Sequence, residues 1–90
     1  MRRIAVLLAV AALAWGGVTA FREDDRPVDP TSAAARPAIA EAMRIVPGRL
    51  VGVARDTDNG KWEVTIDQDG REYEVELDPA TLSLLRLDYD

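Results

Sequence analysis

Five carboxylates repeat at alternate positions in the middle of the chain, and no other group of residues there is so suited to chemistry. They are Glu63, Asp67, Glu72, Glu74 and Glu76. A two-residue turn at Asp69-Gly70 would place Asp67 opposite Glu72 on neighbouring strands. In the same register Glu63 faces Glu76, with Glu74 beside them opposite Thr65. The pattern therefore predicts an acidic face on a β-hairpin.

Paired carboxylates can carry out acid–base hydrolysis, but such pairs lie in a cleft where at least one is shielded from water. A flat sheet face has no cleft, so we interpret these residues mainly as a solvated strand surface. The sharper hypothesis is a surface that binds cations, either metal ions at low affinity or basic segments of another protein. We take the five carboxylates as the candidate binding residues.

Other catalytic and metal-binding residues are scarce. The chain has no histidine and no cysteine, which removes the commonest general base and the usual zinc ligands. Ser32 and Ser83 have no histidine to activate them, and Lys61 is the only lysine. We therefore predict a non-enzymatic protein with no catalytic residues and no cofactor.

A short acidic segment at Asp56, Asp58, Asn59 and Gly60 has some similarity to a calcium-binding loop. The spacing does not match, because the sixth position from Asp56 is Lys61 instead of glycine, and the twelfth is Asp67 instead of glutamate. Asn-Gly is a strong hairpin-turn signal, so we interpret the segment as a turn and predict no specific metal site.

The first twenty residues have the anatomy of a secretory signal. Arg2 and Arg3 precede an apolar run over residues 4–15, and small or short residues occupy positions 18 and 20. We predict cleavage after Ala20 and a periplasmic or secreted location. The alternative is an uncleaved membrane anchor, since residues 4–21 are just long enough to span a bilayer.

The rest of the chain is small and acidic. Its length of about 70 residues allows one modest core and no deep cleft between subdomains. It carries 9 basic and 16 acidic residues, which disfavours nucleic acid and anionic lipid as partners. A basic protein, a cation or simple solubility fits this charge better.

The elements that position the carboxylates follow from hydrophobic periodicity. Residues 21–36 read as a flexible linker with two prolines. Residues 37–46 predict one short helix, with Pro37 at its first position and one apolar face that ends before Pro47-Gly48. That face contains Ile39, Ala42, Met43 and Val46. Residues 50–55, 62–67, 72–77 and 82–89 predict strands.

The residues of the middle hairpin support its predicted register. In that register Trp62, Val64 and Ile66 face Leu77, Val75 and Tyr73, and all six lie on one apolar side of the sheet.

The loop length of the first hairpin is not fixed by the sequence. A two- or four-residue loop puts Val51 and Val53 on the core face. A three-residue loop instead puts Leu50, Gly52 and Ala54 there and pairs Arg55 with Glu63. We predict an α+β fold with one short helix packed on an antiparallel meander of three to four strands.

Residues 38–90 resemble a PepSY domain. The resemblance rests on the order of Val46-Pro47-Gly48, Trp62-x-Val64-x-Ile66, Asp69-Gly70, Tyr73-x-Val75-x-Leu77 and Asp78-x-x-Thr81. Leu82 departs from the pattern, since the family has glycine after the threonine, and this puts the shape of the last turn in question. We accordingly divide the chain into a signal peptide (1–20), a linker (21–36) and a PepSY-like domain (37–90).

The resemblance implies an exported, non-catalytic module that regulates or inhibits a peptidase or binds another envelope protein. Contact would run through the acidic face or an open sheet edge, and pairing between two copies is also open. Two alternatives remain: a low-affinity cation-binding protein of the envelope, and a membrane-tethered domain if the first segment is not cleaved.

Overall fold

The computed structural model describes residues 25–89. They form one helix and a five-stranded antiparallel sheet whose strands lie in sequence order. The elements are β1 (Asp25–Pro27), α1 (Ala35–Ile45), β2 (Arg49–Asp56), β3 (Trp62–Gln68), β4 (Arg71–Leu77) and β5 (Leu84–Tyr89). The predicted α+β class is confirmed, with five strands in place of three to four.

The additional strand is β1, which lies in the segment that the sequence assigns to a linker. Asp25, Arg26 and Pro27 pair with Asp56, Arg55 and Ala54 of β2, and the backbone N–H of Val28 donates to Val53 at 2.9 Å. Three residues containing a proline carry no periodic signal. Only the adjacent strand, which is remote in sequence, makes this segment extended.

Helix α1 begins two residues earlier than predicted, so Pro37 occupies its third position. A proline is tolerated there because the first four N–H groups of a helix have no partner within the helix. Ala35, Ala38 and Ala42 are fully buried against the sheet, while Ile39 and Met43 are only partly buried. The alanine methyl groups thus let the helix approach the strands closely.

Gly48 allows the chain to leave the helix close to the sheet. A Cβ at this position would lie 2.5 Å from the carbonyl oxygen of Asp67 and 2.8 Å from Cγ2 of Ile66. Gln68 also stabilises the connection between α1 and β2, because its Nε2 donates to the carbonyl of Pro47 at 2.9 Å. The Pro47-Gly48 stop is therefore also a packing contact with β3.

The first hairpin has a four-residue loop. The backbone N–H of Asp56 donates to the carbonyl oxygen of Lys61 at 2.9 Å, and Arg55 lies opposite Trp62. The alternative with Arg55 opposite Glu63 is wrong. Val53 faces the core as the even loop requires, but a bulge at Val51 returns Leu50 to the core side opposite Ile66.

The second hairpin has the predicted register at every position. Ile66, Val64 and Trp62 face Tyr73, Val75 and Leu77. Asp69 and Gly70 form the two-residue loop with φ values of 54° and 86°, as a primed turn requires.

Two layers result, with α1 packed on β2, β3 and β4. The core lies between them and is formed by the following buried side chains: Ala35, Ala38, Ala42, Val46, Val53, Trp62, Val64, Ile66, Val75 and Leu77. Trp62 is buried as predicted, and Tyr73 packs against the core from its edge.

The predicted signal peptide and the first residues of the predicted linker lie outside the described residues. Within residues 25–89, no helix has the length and apolar character needed to cross a membrane.

Candidate functional site: a buried carboxylate cluster

The five predicted carboxylates share one face of the hairpin, but that face is not the solvated surface expected. Glu63 is 0% exposed, Glu76 is 2% and Glu74 is 3%. Asp67 and Glu72 are half-buried. The expectation of a wet acidic face is therefore wrong for the three central residues, because their carboxylates lie out of reach of bulk water.

The structure brings these three residues together with two aspartates from the outer strands. One carboxylate oxygen each from Asp25, Glu63 and Glu74 lie within 4.8 Å of one another, and so do one each from Glu74, Glu76 and Asp88. Glu74 belongs to both groups. We call these five residues the carboxylate cluster.

Strand register explains how Glu63 reaches β1. Ala54 of β2 stands opposite Glu63, and Pro27 of β1 stands opposite Ala54. A long side chain from β3 can therefore pass over the methyl group of Ala54 toward Asp25. A larger residue at position 54 would fill this path.

Burial and like charge act together on Glu63. The pKa of Glu63 is raised from 4.5 to about 9, chiefly because the carboxyl is removed from water, with hydrogen bonding and charge from Glu74 and then Asp25 contributing in the same direction. Glu63 is thus protonated at neutral pH. A protonated carboxyl can donate a hydrogen bond to a neighbouring carboxylate, so the cluster can hold a shared proton.

Basic side chains lie at the ends of the cluster. Lys61 Nζ lies 2.9 Å from Oε1 of Glu76, and both side chains are largely buried. Arg86 Nε lies 2.9 Å from Oδ2 of Asp88 on β5. These ion pairs compensate part of the negative charge that burial would otherwise penalise.

Asp67 lies outside both groups of the cluster. Its Oδ2 accepts from Arg49 Nη2 at 2.8 Å, and its Oδ1 accepts from the backbone N–H of Gly70 at 2.9 Å. It therefore stabilises the turn between β3 and β4. Glu72 stands opposite it in the ladder and is likewise in neither group.

The segment with partial calcium-loop similarity forms a hairpin turn. Oδ1 of Asp56 accepts from the backbone N–H groups of Asp58 at 2.7 Å and Asn59 at 3.3 Å, and Gly60 has a φ of 76°. Arg55 donates to the carbonyl of Gly60 at 2.8 and 3.0 Å while its guanidinium lies over the Trp62 ring. These contacts account for the residue types in the segment.

Two members of the cluster, Asp25 and Asp88, were not among the predicted binding residues. A signal for Asp88 does exist, because residues 85–89 alternate apolar and charged residues and the alternation places Arg86 and Asp88 on the acidic side. Asp25 had no comparable signal, since β1 itself could not be read from the sequence.

The cluster has two chemical uses, a shared proton or a hard cation bound by several carboxylate oxygens. The raised pKa of Glu63 favours the proton, because a cation would first have to displace it. Cation binding stays a prediction, and calorimetry of the protein with millimolar calcium would test it.

A second feature is the apolar character of β5. Its exposed large side chains are Leu84, Leu85, Leu87 and Tyr89, with exposed fractions from 39% to 57%. Tyr89 stacks on Tyr73 with ring centroids 5.5 Å apart, and the Arg71 guanidinium lies 5.1 Å from the Tyr89 ring centroid. In the sheet order β5 is an edge strand, so this apolar surface borders one side of the molecule.

Comparison with protein families gives a match over most of the chain. The model of the family described as "Peptidase propeptide and YPEB domain" (PepSY) matches residues 3–87. The chain belongs to the PepSY family. No curated protein and no solved structure matches it significantly.

The PepSY match agrees with the resemblance read from residues 38–90. Leu82, where this chain departs from the family's glycine, has a φ of 63°, in the left-handed region that favours glycine. The backbone of the last turn is therefore one that glycine would adopt, although this chain has leucine there.

Proposed function

We propose that this PepSY chain is an exported, non-catalytic module that binds a peptidase or another exported protein. The family description as a peptidase propeptide domain supports a peptidase as the partner. The observation that carries the proposal is the apolar edge strand β5. An exposed strand can accept an extended segment of a partner through backbone hydrogen bonds, with neighbouring side chains adding selectivity.

The carboxylate face is less suited to docking than the edge. Glu63, Glu74 and Glu76 are at most 3% exposed, so a partner's basic side chains could not reach them in this conformation. Reversing their charges would unfold the sheet before it tested docking. Of the two docking surfaces suggested by the sequence, the acidic face and the open sheet edge, the geometry favours the edge.

The polar contacts of both serines support a non-catalytic role. Ser32 Oγ accepts from the backbone N–H of Ala35 at 3.2 Å at the start of α1. The Ser83 hydroxyl shares a hydrogen bond of 2.6 Å with the Thr81 hydroxyl. In the described part of the chain these contacts belong to turns and caps, and neither serine is paired with a general base.

Affinity capture from the envelope fraction of the native cells tests the proposal. The full chain serves as bait beside a Leu85→Lys/Leu87→Lys variant, because lysines on an edge strand oppose strand addition. We expect the parent to retain a peptidase or another exported protein that the variant loses. Both substituted leucines are exposed, so the variant should fold.

An Ala33→Lys/Ala40→Lys variant is the matched control. It adds the same two charges at exposed positions near and on α1, away from β5. It should retain the partner as the parent does. Equal capture by the parent and the edge variant would reject the edge as the docking site.

The export part of the proposal has a separate test. Cleavage after Ala20 would leave a protein that begins at Phe21, and the intact mass of the protein isolated from native cells would show it. An uncleaved mass together with membrane fractionation would instead support the tethered alternative.

A further inference from the structure

The two edges of the sheet differ strongly in their capacity to pair. Edge strand β1 has three residues, and one of them is Pro27, which lacks a backbone N–H. Edge strand β5 has six residues, with neither proline nor lysine among them. Short length and proline are the devices that usually protect an edge from pairing. Within the described residues they protect β1 and are absent from β5.

Helix α1 packs mainly on the central strands of the sheet. It packs on β2, β3 and β4, so the core-side face of the sheet extends beyond the helix at the β5 edge. Leu87 stands opposite Val75 and Tyr89 opposite Tyr73, which places both on that face. Their side chains are nevertheless 39% and 57% exposed.

The sequence of β5 is complementary to itself when read in the opposite direction. Residues 85–89 are Leu, Arg, Leu, Asp and Tyr. In an antiparallel pair of two β5 strands centred on Leu87, Arg86 of each copy faces Asp88 of the other. Leu87 faces its own copy, and Leu85 faces Tyr89. Both charge pairs are of opposite sign, and each apolar residue faces another apolar residue.

We propose that β5 pairs with β5 of a second copy of this chain, in antiparallel register centred on Leu87, to form a continuous ten-stranded sheet. A two-fold axis through the Leu87 pair relates the copies, as a closed symmetric dimer requires. The proposal does not depend on a peptidase partner. It concerns what covers the apolar edge when no such partner is bound.

Charge selects this register over its neighbours. A pair centred on Arg86 would place the two Arg86 side chains opposite each other, and one centred on Asp88 would do the same with the two aspartates. Like charges directly opposite destabilise a strand pair. Only the centre at Leu87 converts all four charges into opposite-sign pairs.

The two sides of the proposed interface match the two faces of the sheet. Arg86 and Asp88 lie on the carboxylate side, where they already form an ion pair within the strand at 2.9 Å. Pairing would join two such pairs into a network of four alternating charges. On the other side Leu87 and Tyr89 would be covered. The bulge at Leu85 ends the regular pairing of β5 with β4, so the regular part of the proposed interface is residues 86–88, with Leu85 and Tyr89 at its ends.

A single cysteine tests the register, because the chain has none of its own. A disulfide requires Cα atoms within about 7 Å. Residues directly opposite in an antiparallel pair have Cα atoms about 5 Å apart. Leu87→Cys in the full chain, produced in its own cells and treated with copper phenanthroline as oxidant, should therefore form a disulfide-linked dimer.

Leu85→Cys is the control for collision between exposed thiols. Leu85 is more exposed than Leu87, yet in the proposed register its Cα lies about 14 Å from that of its own copy, four residues along the strand. We expect Leu87→Cys to cross-link at least about five-fold faster than Leu85→Cys, since only the former meets the distance requirement. Equal rates, or faster cross-linking at position 85, would overturn the proposal.

A charge swap provides a second readout that needs no cysteine. Arg86→Asp places like charges opposite each other and should lower the fraction of dimer measured by sedimentation equilibrium. Arg86→Asp combined with Asp88→Arg restores opposite-sign pairs in the same register and should recover the dimer. Circular dichroism of each variant verifies that it is folded. Folded variants whose association is unaffected by Arg86→Asp, or not recovered by the swap, would contradict the pairing.

Discussion

A single carboxyl group, that of Glu63, connects the fold of this protein to pH. Burial is the main cause that raises the pKa of Glu63 to about 9, with Glu74 and Asp25 acting in the same direction. In the unfolded chain the same group has a pKa near 4.5. Between pH 4.5 and about 9, Glu63 is therefore protonated in the folded protein and ionised in the unfolded chain. The contribution of Glu63 to folding stability is therefore fully present below about pH 4.5 and is lost as the pH rises to about 9.

We expect Glu63→Gln to reduce this dependence, because glutamine resembles the protonated carboxyl and does not ionise. Near pH 4.5 the parent and the variant should unfold at similar urea concentrations. At pH 8 the variant should be more stable by at least about 1 kcal/mol, which is a shift of roughly 4–8 °C in melting temperature for a domain of this size. Chemical unfolding at several pH values measures both effects.

Asp58→Asn is the control for the loss of one negative charge. Asp58 is exposed in the first hairpin turn, outside the carboxylate cluster. This variant should keep the slope of stability against pH that the parent shows. A Glu63→Gln variant that keeps the parent's slope as well would contradict a protonated Glu63.

The residues of the cluster show how far sequence could predict a site here. Alternation and the Asp69-Gly70 turn were enough to place Glu63 opposite Glu76 and Glu74 opposite Thr65, and that register is confirmed. They did not predict burial, because alternation tells which face a residue occupies and not what covers that face. Asp25 was missed for a related reason, since pairing with β2 alone makes its segment a strand.

Among the elements, the turn between β4 and β5 has a backbone conformation at odds with its residue. Oδ1 of Asp78 accepts from the backbone N–H groups of Ala80 and Thr81 at 2.8 and 3.0 Å, and Leu82 follows with a φ of 63°. A left-handed leucine costs about 1 kcal/mol or more relative to glycine. Leu82 is also half-buried against the core, and this contact offsets part of that cost.

We predict that Leu82→Val destabilises the fold more than Leu82→Gly does. Valine retains much of the apolar contact but is β-branched and strongly disfavours positive φ, so a loss of about 1–2 kcal/mol is expected. Glycine loses the contact but relieves the strain, so its net effect should be smaller. Urea unfolding of the three proteins gives the comparison, and a valine variant at least as stable as the glycine variant would rule out strain at this position.

The elements were predicted most accurately where periodicity and turn chemistry agreed. The hairpin of β3 and β4 has both signals and was right residue by residue. The first hairpin had ambiguous loop lengths, and the bulge at Val51 then changed which residues face the core. Helix α1 was found, but its buried face consists largely of alanines instead of the larger apolar residues that the pattern emphasised.

At the scale of the whole molecule, α1 packs on the central strands of the sheet, and the two edge strands, β1 and β5, differ in length and composition. Sequence predicted the two layers and the presence of an open edge. It predicted the last strand at one edge, over residues 82–89, but not the short strand with proline at the other edge. The missed strand pairs with β2, which is remote in sequence, so no local pattern shows it.

An edge strand such as β5 has one side that is not hydrogen-bonded within the sheet, so it can pair with only one further strand at a time. Self-pairing and capture of another protein would then draw on the same pool of monomers. Above the dissociation constant of a dimer, the monomer concentration rises only as the square root of the total. A tenfold increase in expression would raise the amount available to a client about threefold by mass action. The cell's supply of active module would thus be buffered against changes in gene dosage.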